Sequence, residues 1–241
     1  MAHHPRMRLA GDAAILLEFG QTPDPAINRD VHRTARALQR ASIAGVWGIV
    51  PAYTTLLVEF DPFIIRAAAL MERIQNLALD DVVEAPRCFE IPTAYGGPFG
   101  EDLADAATRL GLDPEELVAQ HSKHRYQIYC LGFSPGFPLA GILPEALRLP
   151  RRTSPRTAVP SGAVAIAGFQ TGVYPTESPG GWHLIGRTPG RLFHLERTSP
   201  VMYQPGDYLQ FRPISGEEYR HLEARALAGE MVVREVANGP H

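Results

Sequence analysis

The strongest constraint on this chain is a 59-residue stretch, Gly132 to Gly190, that carries 10 of its 22 glycines and 9 of its 22 prolines. Proline lacks a backbone N–H and breaks helix interiors, and glycine is a poor helix former. From Tyr126 to Pro213 no helical periodicity is found. Short apolar runs, such as Val164–Ala167, Leu192–Leu195 and Tyr208–Phe211, are separated by turn residues. That pattern predicts an all-β barrel or sandwich with elaborate loops.

The first 90 residues read as a separate, small α/β unit, which places the domains at 1–90 and 91–241. Ala13–Phe19, Val46–Val50 and Thr55–Phe60 have strand composition. Asp24-Pro25 supplies an N-cap and a first-turn proline for a helix with Ile27, Val31, Ala35 and Leu38 on one face. Arg29, Arg33, Arg36 and Arg40 form a second stripe, read as a solvated face or a contact for an anionic partner. Asp61-Pro62 repeats the start signal before Phe63, Ala67, Leu70, Ile74 and Leu77. LLEF before the first Asp-Pro and LLVEF before the second hint at an internal duplication. A strand over Val83–Ile91 leads out of the unit into a linker over Pro92–Gly100. Short helices are then predicted over Glu101–Leu110 and Asp113–Ser122, a capping-box helix from Ser215 to Ala228, and a final strand over Met231–Val236.

Composition excludes several classes. With 45% hydrophobic and 20% charged residues in 241, the chain can bury a core. A net charge of −3 gives no general attraction to nucleic acid or membrane lipid. No apolar run approaches the roughly 18 residues of a membrane span, and Ala13–Leu17 is too short for a secretory signal. Cys88 and Cys130 make neither a disulfide framework nor a metal motif. A cytoplasmic protein is expected.

Gly132-Phe133-Ser134-Pro135-Gly136 matches the serine-hydrolase elbow, but Pro135 cannot supply the oxyanion-hole N–H, so Ser134 is not read as a nucleophile. Phosphate-loop and dinucleotide signatures are absent. His121 and His124 lack further ligands nearby, and no bound metal is expected. Cys130 reads as a small buried residue. Arg148–Arg156 holds four arginines and no acid; it suits phosphate or carboxylate recognition, or a solvated loop or subunit interface. Ser178–Thr188 is the most site-like segment. Its glycines permit close backbone approach, Trp182 offers a wall, and His183 and Arg187 supply an acid/base and a cation. Strand alternation puts Trp182 and Leu184 on one face, and His183, Ile185 and Arg187 on the other. A plain β-hairpin is the competing reading.

The motifs GDAAILLEFG, VPAYTTLLVEFDP, IPTAYGGPFGEDL, YCLGFSPGFPLAGI, the long run from LPRRTSPRTAVPSG to GGWHLIGRTP, and PGDYLQF resemble the B subunit of bacterial ATP-dependent 5-oxoprolinase. That family includes the Kip inhibitor of a sporulation histidine kinase and is also labelled allophanate hydrolase subunit 1. The resemblance implies an α+β fold: a small N-terminal α/β domain followed by a cyclophilin-like β-barrel domain. It also implies a related C subunit and an A subunit as partners, ATP as co-substrate of the complex, and cleavage of 5-oxoproline to glutamate, with this chain inactive alone. Alternatives are a regulatory protein that inhibits a histidine kinase, or a subunit of a urea- or allophanate-metabolising complex. Opening a lactam needs an activated carbonyl and cations for carboxylate and phosphoryl groups. Arg156 and Arg187 are the candidate cations and His183 the candidate acid/base. Gln170, Tyr174, Ser178, Gly180, Gly181 and Trp182 are the expected substrate-binding residues.

Overall fold

In the computed structural model, which describes residues 5–79 and 85–237, the chain falls into two units, Met1–Ala85 and Pro86–His241. The first contains β1 (Arg6–Leu9), β2 (Ala14–Glu18), α1 (Pro25–Ala41), β3 (Val46–Pro51), β4 (Thr55–Phe60) and α2 (Ala67–Gln75). Its antiparallel sheet has the order β1-β2-β4-β3. The two echoing segments lie on β2 and β4, side by side, with Leu17 opposite Leu56. Alternate residues Ile15, Leu17, Leu56, Val58 and Phe60 pack with Val31, Ala35 and Leu38 of α1 and Leu70 and Ile74 of α2. Each such buried side chain contributes roughly 1.5–3 kcal/mol.

The two Asp-Pro signals diverge. Asp24 caps α1, its carboxylate accepting from the amides of Ala26 and Ile27 at 2.7 and 3.2 Å. Asp61 does not start a helix. Its carboxylate accepts from the Phe63 amide at 2.9 Å, a turn in which Phe63 and Ile64 are exposed, and α2 begins only at Ala67. Strand β1 is a further departure: Arg-Met-Arg-Leu alternates charged and apolar residues over only four positions, too short a run to signal a strand, and is ordered by pairing with β2. In the arginine stripe Arg29, Arg36 and Arg40 are exposed, whereas Arg33 donates to the Leu79 carbonyl.

The second unit contains β5 (Cys88–Tyr95), α3 (Leu103–Leu110), α4 (Pro114–Lys123), β6 (Arg125–Leu131), β7 (Pro138–Gly141), β8 (Arg156–Val159), β9 (Ala163–Ala167), β10 (Gln170–Val173), β11 (Ser178–Gly180), β12 (His183–Arg187), β13 (Tyr208–Pro213), α5 (Gly216–Leu227) and β14 (Arg234–Val236). The order β12-β9-β10-β7-β6-β13-β5 closes on itself through β5–β12, giving a seven-stranded barrel. Strand β14 extends β5 at Cys88–Glu90, while the far end of β5 takes β12. Strands β8 and β11 form a separate two-stranded ribbon. All seven barrel strands contribute to one cluster, including Ile91, Ile128, Ala140, Ile166, Val173, Ile185 and Phe211, which is therefore the interior.

Two expectations are corrected. The segment read as a linker, Pro92–Gly100, begins inside β5: Pro92 pairs with Arg212, and Thr93 and Ala94 are buried. Pro92 and the two glycines at 96–97 masked a strand buried by its neighbours. Leu192–Leu195 forms no strand and leaves one bridge, Phe193 to Val201. The expected strand start at Val83 lies outside the described residues. Among the described residues no helix is long and apolar enough to cross a membrane.

Candidate functional site

Gly100 lies against β12 so closely that a Cβ there would collide with the backbone of Ile185 and Gly186. That approach lets the start of α3 bond to β12. The Asp102 amide donates to the Leu184 carbonyl at 3.0 Å, and the Leu184 amide donates to Asp102 Oδ2 at 2.7 Å. The other oxygen, Oδ1, takes two guanidinium groups, Arg152 Nη1 at 2.9 Å and Arg156 Nη2 at 2.7 Å. Asp102 is buried, and Glu101 adds a contact to Arg156 Nε at 2.9 Å. Burial works against the Arg156 charge, yet Asp102 and Glu101 outweigh it and hold the guanidinium above its ordinary value.

The arginine loop is tied to β11–β12 from its own backbone as well. The Arg152 amide donates to the Gly181 carbonyl at 2.8 Å, and Arg156 pairs with Gly180 across the ribbon. On the outer face of β9, Ala163, Ala165 and Ala167 pack with Phe137, Tyr174, Trp182 and Leu184. Phe137 meets Tyr174 and Trp182 edge-on, with centroids 5.0 and 5.4 Å away. Burial raises the Tyr174 phenol above its ordinary value, opposed by the Trp182 amide and by the charges of Arg151 and Arg156.

The candidates from sequence are thus partly assembled. Arg156, Tyr174, Gly180, Gly181 and Trp182 meet around the ribbon. Ser178 sits opposite Val159 in it, its buried Oγ unpaired among the described residues. The missing Cβ of Gly180 makes room for the Tyr174 ring and hydroxyl. Gln170 occupies the opposite end of β10 from Tyr174, about 13 Å along the strand. His183 is fully buried; Nε2 lies 2.9 Å from the Pro150 carbonyl, which requires its proton there, and Nδ1 has no partner among the described residues. The expectation that Arg187 shares the His183 face is overturned. A bulge between Leu184 and Gly186 sets His183 opposite Ile166 but Arg187 opposite Ala163, moving Arg187 to the other face. There its Nε donates to the Ser161 carbonyl, and its charge reaches the Tyr219 phenol.

Ser134 lies in a loop that leads into a strand, not a helix. Cys88 and Cys130 are buried free thiols, and burial pushes Cys130 up to about 11. His121 sits in the barrel interior with both ring nitrogens engaged. The Thr171 hydroxyl donates to the Ala165 carbonyl, so it accepts from His121 Nε2 at 2.9 Å, and Nδ1 accepts from the Tyr95 hydroxyl at 2.8 Å. Burial, reinforced by His124, lowers His121 to about 3. Sequence reasoning missed Asp102. The available signal was a run of four arginines with no acid of its own, which needed a carboxylate from elsewhere in the chain.

Residues 5–203 match the family described as carboxyltransferase domain, subdomain C and D. The B subunit of the Bacillus subtilis (strain 168) 5-oxoprolinase is 38% identical over 223 residues, covering 87% of this chain and 92% of the relative. Its namesake in Escherichia coli O157:H7 is 39% identical over 210 residues, covering 86% and 95%. The solved structure of TTHA0988 has a TM-score of 0.76 at 41% identity over 84% of this chain, which spans 40% of that longer chain. The Kluyveromyces lactis urea amidolyase reaches a TM-score of 0.76 at 22% identity over 97% of this chain and 16% of its own, a likeness of fold alone.

Proposed function

This chain belongs to the carboxyltransferase subdomain C and D family, among the 5-oxoprolinase B subunits, and from that premise we propose that it is a subunit of an ATP-dependent 5-oxoprolinase acting in the cytoplasm. The observation that carries this reading is identity of 38–40% to three proteins of that name, covering 89–95% of their lengths. Its partners are C and A subunits, and ATP is the co-substrate of the complex. No metal is assigned to this chain.

A lactam is opened by making its carbonyl oxygen a leaving group. Transfer of the ATP γ-phosphoryl to that oxygen, with loss of the lactam N–H proton, gives an O-phosphorylated imidate and ADP. Addition of one water and breakage of the ring C–N bond give γ-glutamyl phosphate, which a second water hydrolyses to glutamate and phosphate. The protein's task is to hold the substrate carboxylate and to stabilise negative charge on the phosphoryl group. Arg156 stands ready for that beside Tyr174, Trp182 and the ribbon, with Ser178 and Gly180 on its second strand and Gly181 just after it. Arg187 is assigned the second cationic role from the opposite end of β12, and Gln170 a role in substrate orientation. His183 is the candidate acid/base, acting through its unpaired Nδ1.

Co-expression with the cognate C and A subunits tests the reading by glutamate formed from 5-oxoproline with and without ATP. ATP-dependent glutamate that vanishes when this chain is omitted is the expected result. An assembled complex that forms none overturns it. Arg156→Ala and Arg187→Ala should each cost about two orders of magnitude in turnover, and full activity in either removes that residue from the site.

A further inference from the structure

Two of the buried side-chain N–H groups that find no acceptor among the described residues belong to neighbouring arginines, Arg152 Nε and Arg156 Nη1. Both guanidinium groups lie within 3 Å of a single carboxylate oxygen of Asp102, so they are side by side. Two positive charges on one buried negative charge leave an excess of one, which, among the described residues, only the exposed Glu101 offsets. Arg148 and Arg151 are exposed and add to it in a nine-residue segment without an acid. The two orphaned nitrogens are themselves buried, in side chains that are 30% exposed for Arg152 and 19% for Arg156, so a ligand reaches them by displacing the exposed Glu101 side chain that lies on Arg156.

The local geometry also records how an oxyanion approaches. Glu101 places one oxygen 2.9 Å from Arg156 Nε, from a side chain that is 62% exposed. Such a surface carboxylate is weakly held and readily displaced. Arginine pairs of this kind offer parallel N–H groups that match the two oxygens of a carboxylate or phosphoryl group.

We infer that Arg152 and Arg156, clamped by Asp102, form an oxyanion-binding site in which Glu101 is a displaceable occupant. The site takes a carboxylate or a phosphoryl group, and it rests on the proposed oxoprolinase reading only for the source of that group, substrate or nucleotide. Arg152 is thereby a ligand-binding residue, and Asp102 a positioning residue that touches no ligand.

The test uses the full chain alone, so it is separable from the activity of the complex. The Arg152 Nε–H resonance is followed by NMR during titration with 5-oxoproline, inorganic phosphate and 2-pyrrolidinone, the lactam without a carboxylate, at fixed ionic strength. Saturable movement with 5-oxoproline assigns the substrate carboxylate; movement with phosphate assigns a phosphoryl group; 2-pyrrolidinone should leave the resonance still. Glu101→Gln should tighten binding about three- to tenfold, because it removes the competitor. Arg152→Gln should weaken it about tenfold or more, with the thermal midpoint checking that the variant folds. If neither anion gives saturable movement in wild type or Glu101→Gln, or if 2-pyrrolidinone moves the resonance equally, the orphaned donors are satisfied by solvent and the inference is overturned. Anion binding without glutamate formation by the complex would leave the site standing and remove the oxoprolinase reading.

Discussion

Two polar networks lie within the second unit, and they are built to opposite ends. Inside the barrel, Tyr95, His121 and Thr171 form a one-way chain in which each donor has one acceptor, ending on the Ala165 carbonyl. The Tyr126 hydroxyl donates to the His121 carbonyl and closes it. At the arginine ribbon, the Asp102 carboxylate accepts from Arg152, Arg156 and the Leu184 amide, yet Arg152 Nε and Arg156 Nη1 are left without acceptors among the described residues. A closed network in low dielectric holds one conformation; an open one keeps donors available at a cost in stability. The first is a fastening and the second is a place for a ligand.

Removing the hub should have the largest effect. Asp102→Ala frees two guanidinium groups and orphans the Leu184 amide, and the expected destabilisation is about 3 kcal/mol, read from denaturant midpoints. A loss well under 1 kcal/mol would make the ribbon a loosely held loop and erase the contrast. Next comes His121→Phe, which strands the Tyr95 hydroxyl and takes from Thr171 the bond it accepts, while the Thr171 bond to the Ala165 carbonyl stays; this should cost about 2 kcal/mol at pH 7.

That variant also tests the interior network by pH. The folded state holds His121 near 3, below its unfolded value of 6.5. The unfolded chain therefore takes the proton first, and the stability His121 contributes is intact above about 6.5 and lost as pH falls toward 3, at about 1.4 kcal/mol per pH unit. Between pH 7 and 5 the wild type should lose about 2 kcal/mol more than His121→Phe does. Parallel curves would mean that the ring is not held neutral.

The smallest effects compare adjacent glycines of the ribbon. A Cβ at Gly180 would strike the Tyr174 hydroxyl and ring, whereas one at Gly181 meets Pro155 at an ordinary 3.6 Å. Gly180→Ala should cost about 1.5 kcal/mol and Gly181→Ala less than about 0.5, both measured by thermal unfolding. Equal effects would refute the packing role assigned to Gly180.

Much of the framework was legible along the chain. Asp24 before Pro25, Gly111 after Leu110 and Ser215 three residues before Glu218 each act over one helical turn, and each caps a helix as read. Asp61-Pro62 carried the same letters and gave a turn, because Ile64 and Ile65 pack against Gly45 instead of continuing a helix. The strand through Pro92 was hidden for a similar reason: its partners, β13 and β12, lie roughly ninety or more residues away.

The sequence by itself determined a helix-bearing N-terminal stretch, a turn-rich β stretch readable as barrel or sandwich, the caps, and the concentration of arginines between Arg148 and Arg156. These follow from backbone chemistry and periodicities that act within a few residues. Only the tertiary structure decided which acid meets those arginines, 50 residues before Arg152, that one bulge in β12 turns Arg187 away from His183, and that Gly180 faces a tyrosine. Strand register and close backbone approach are set by the partners a segment finds in space, and a local pattern of residues carries no record of them.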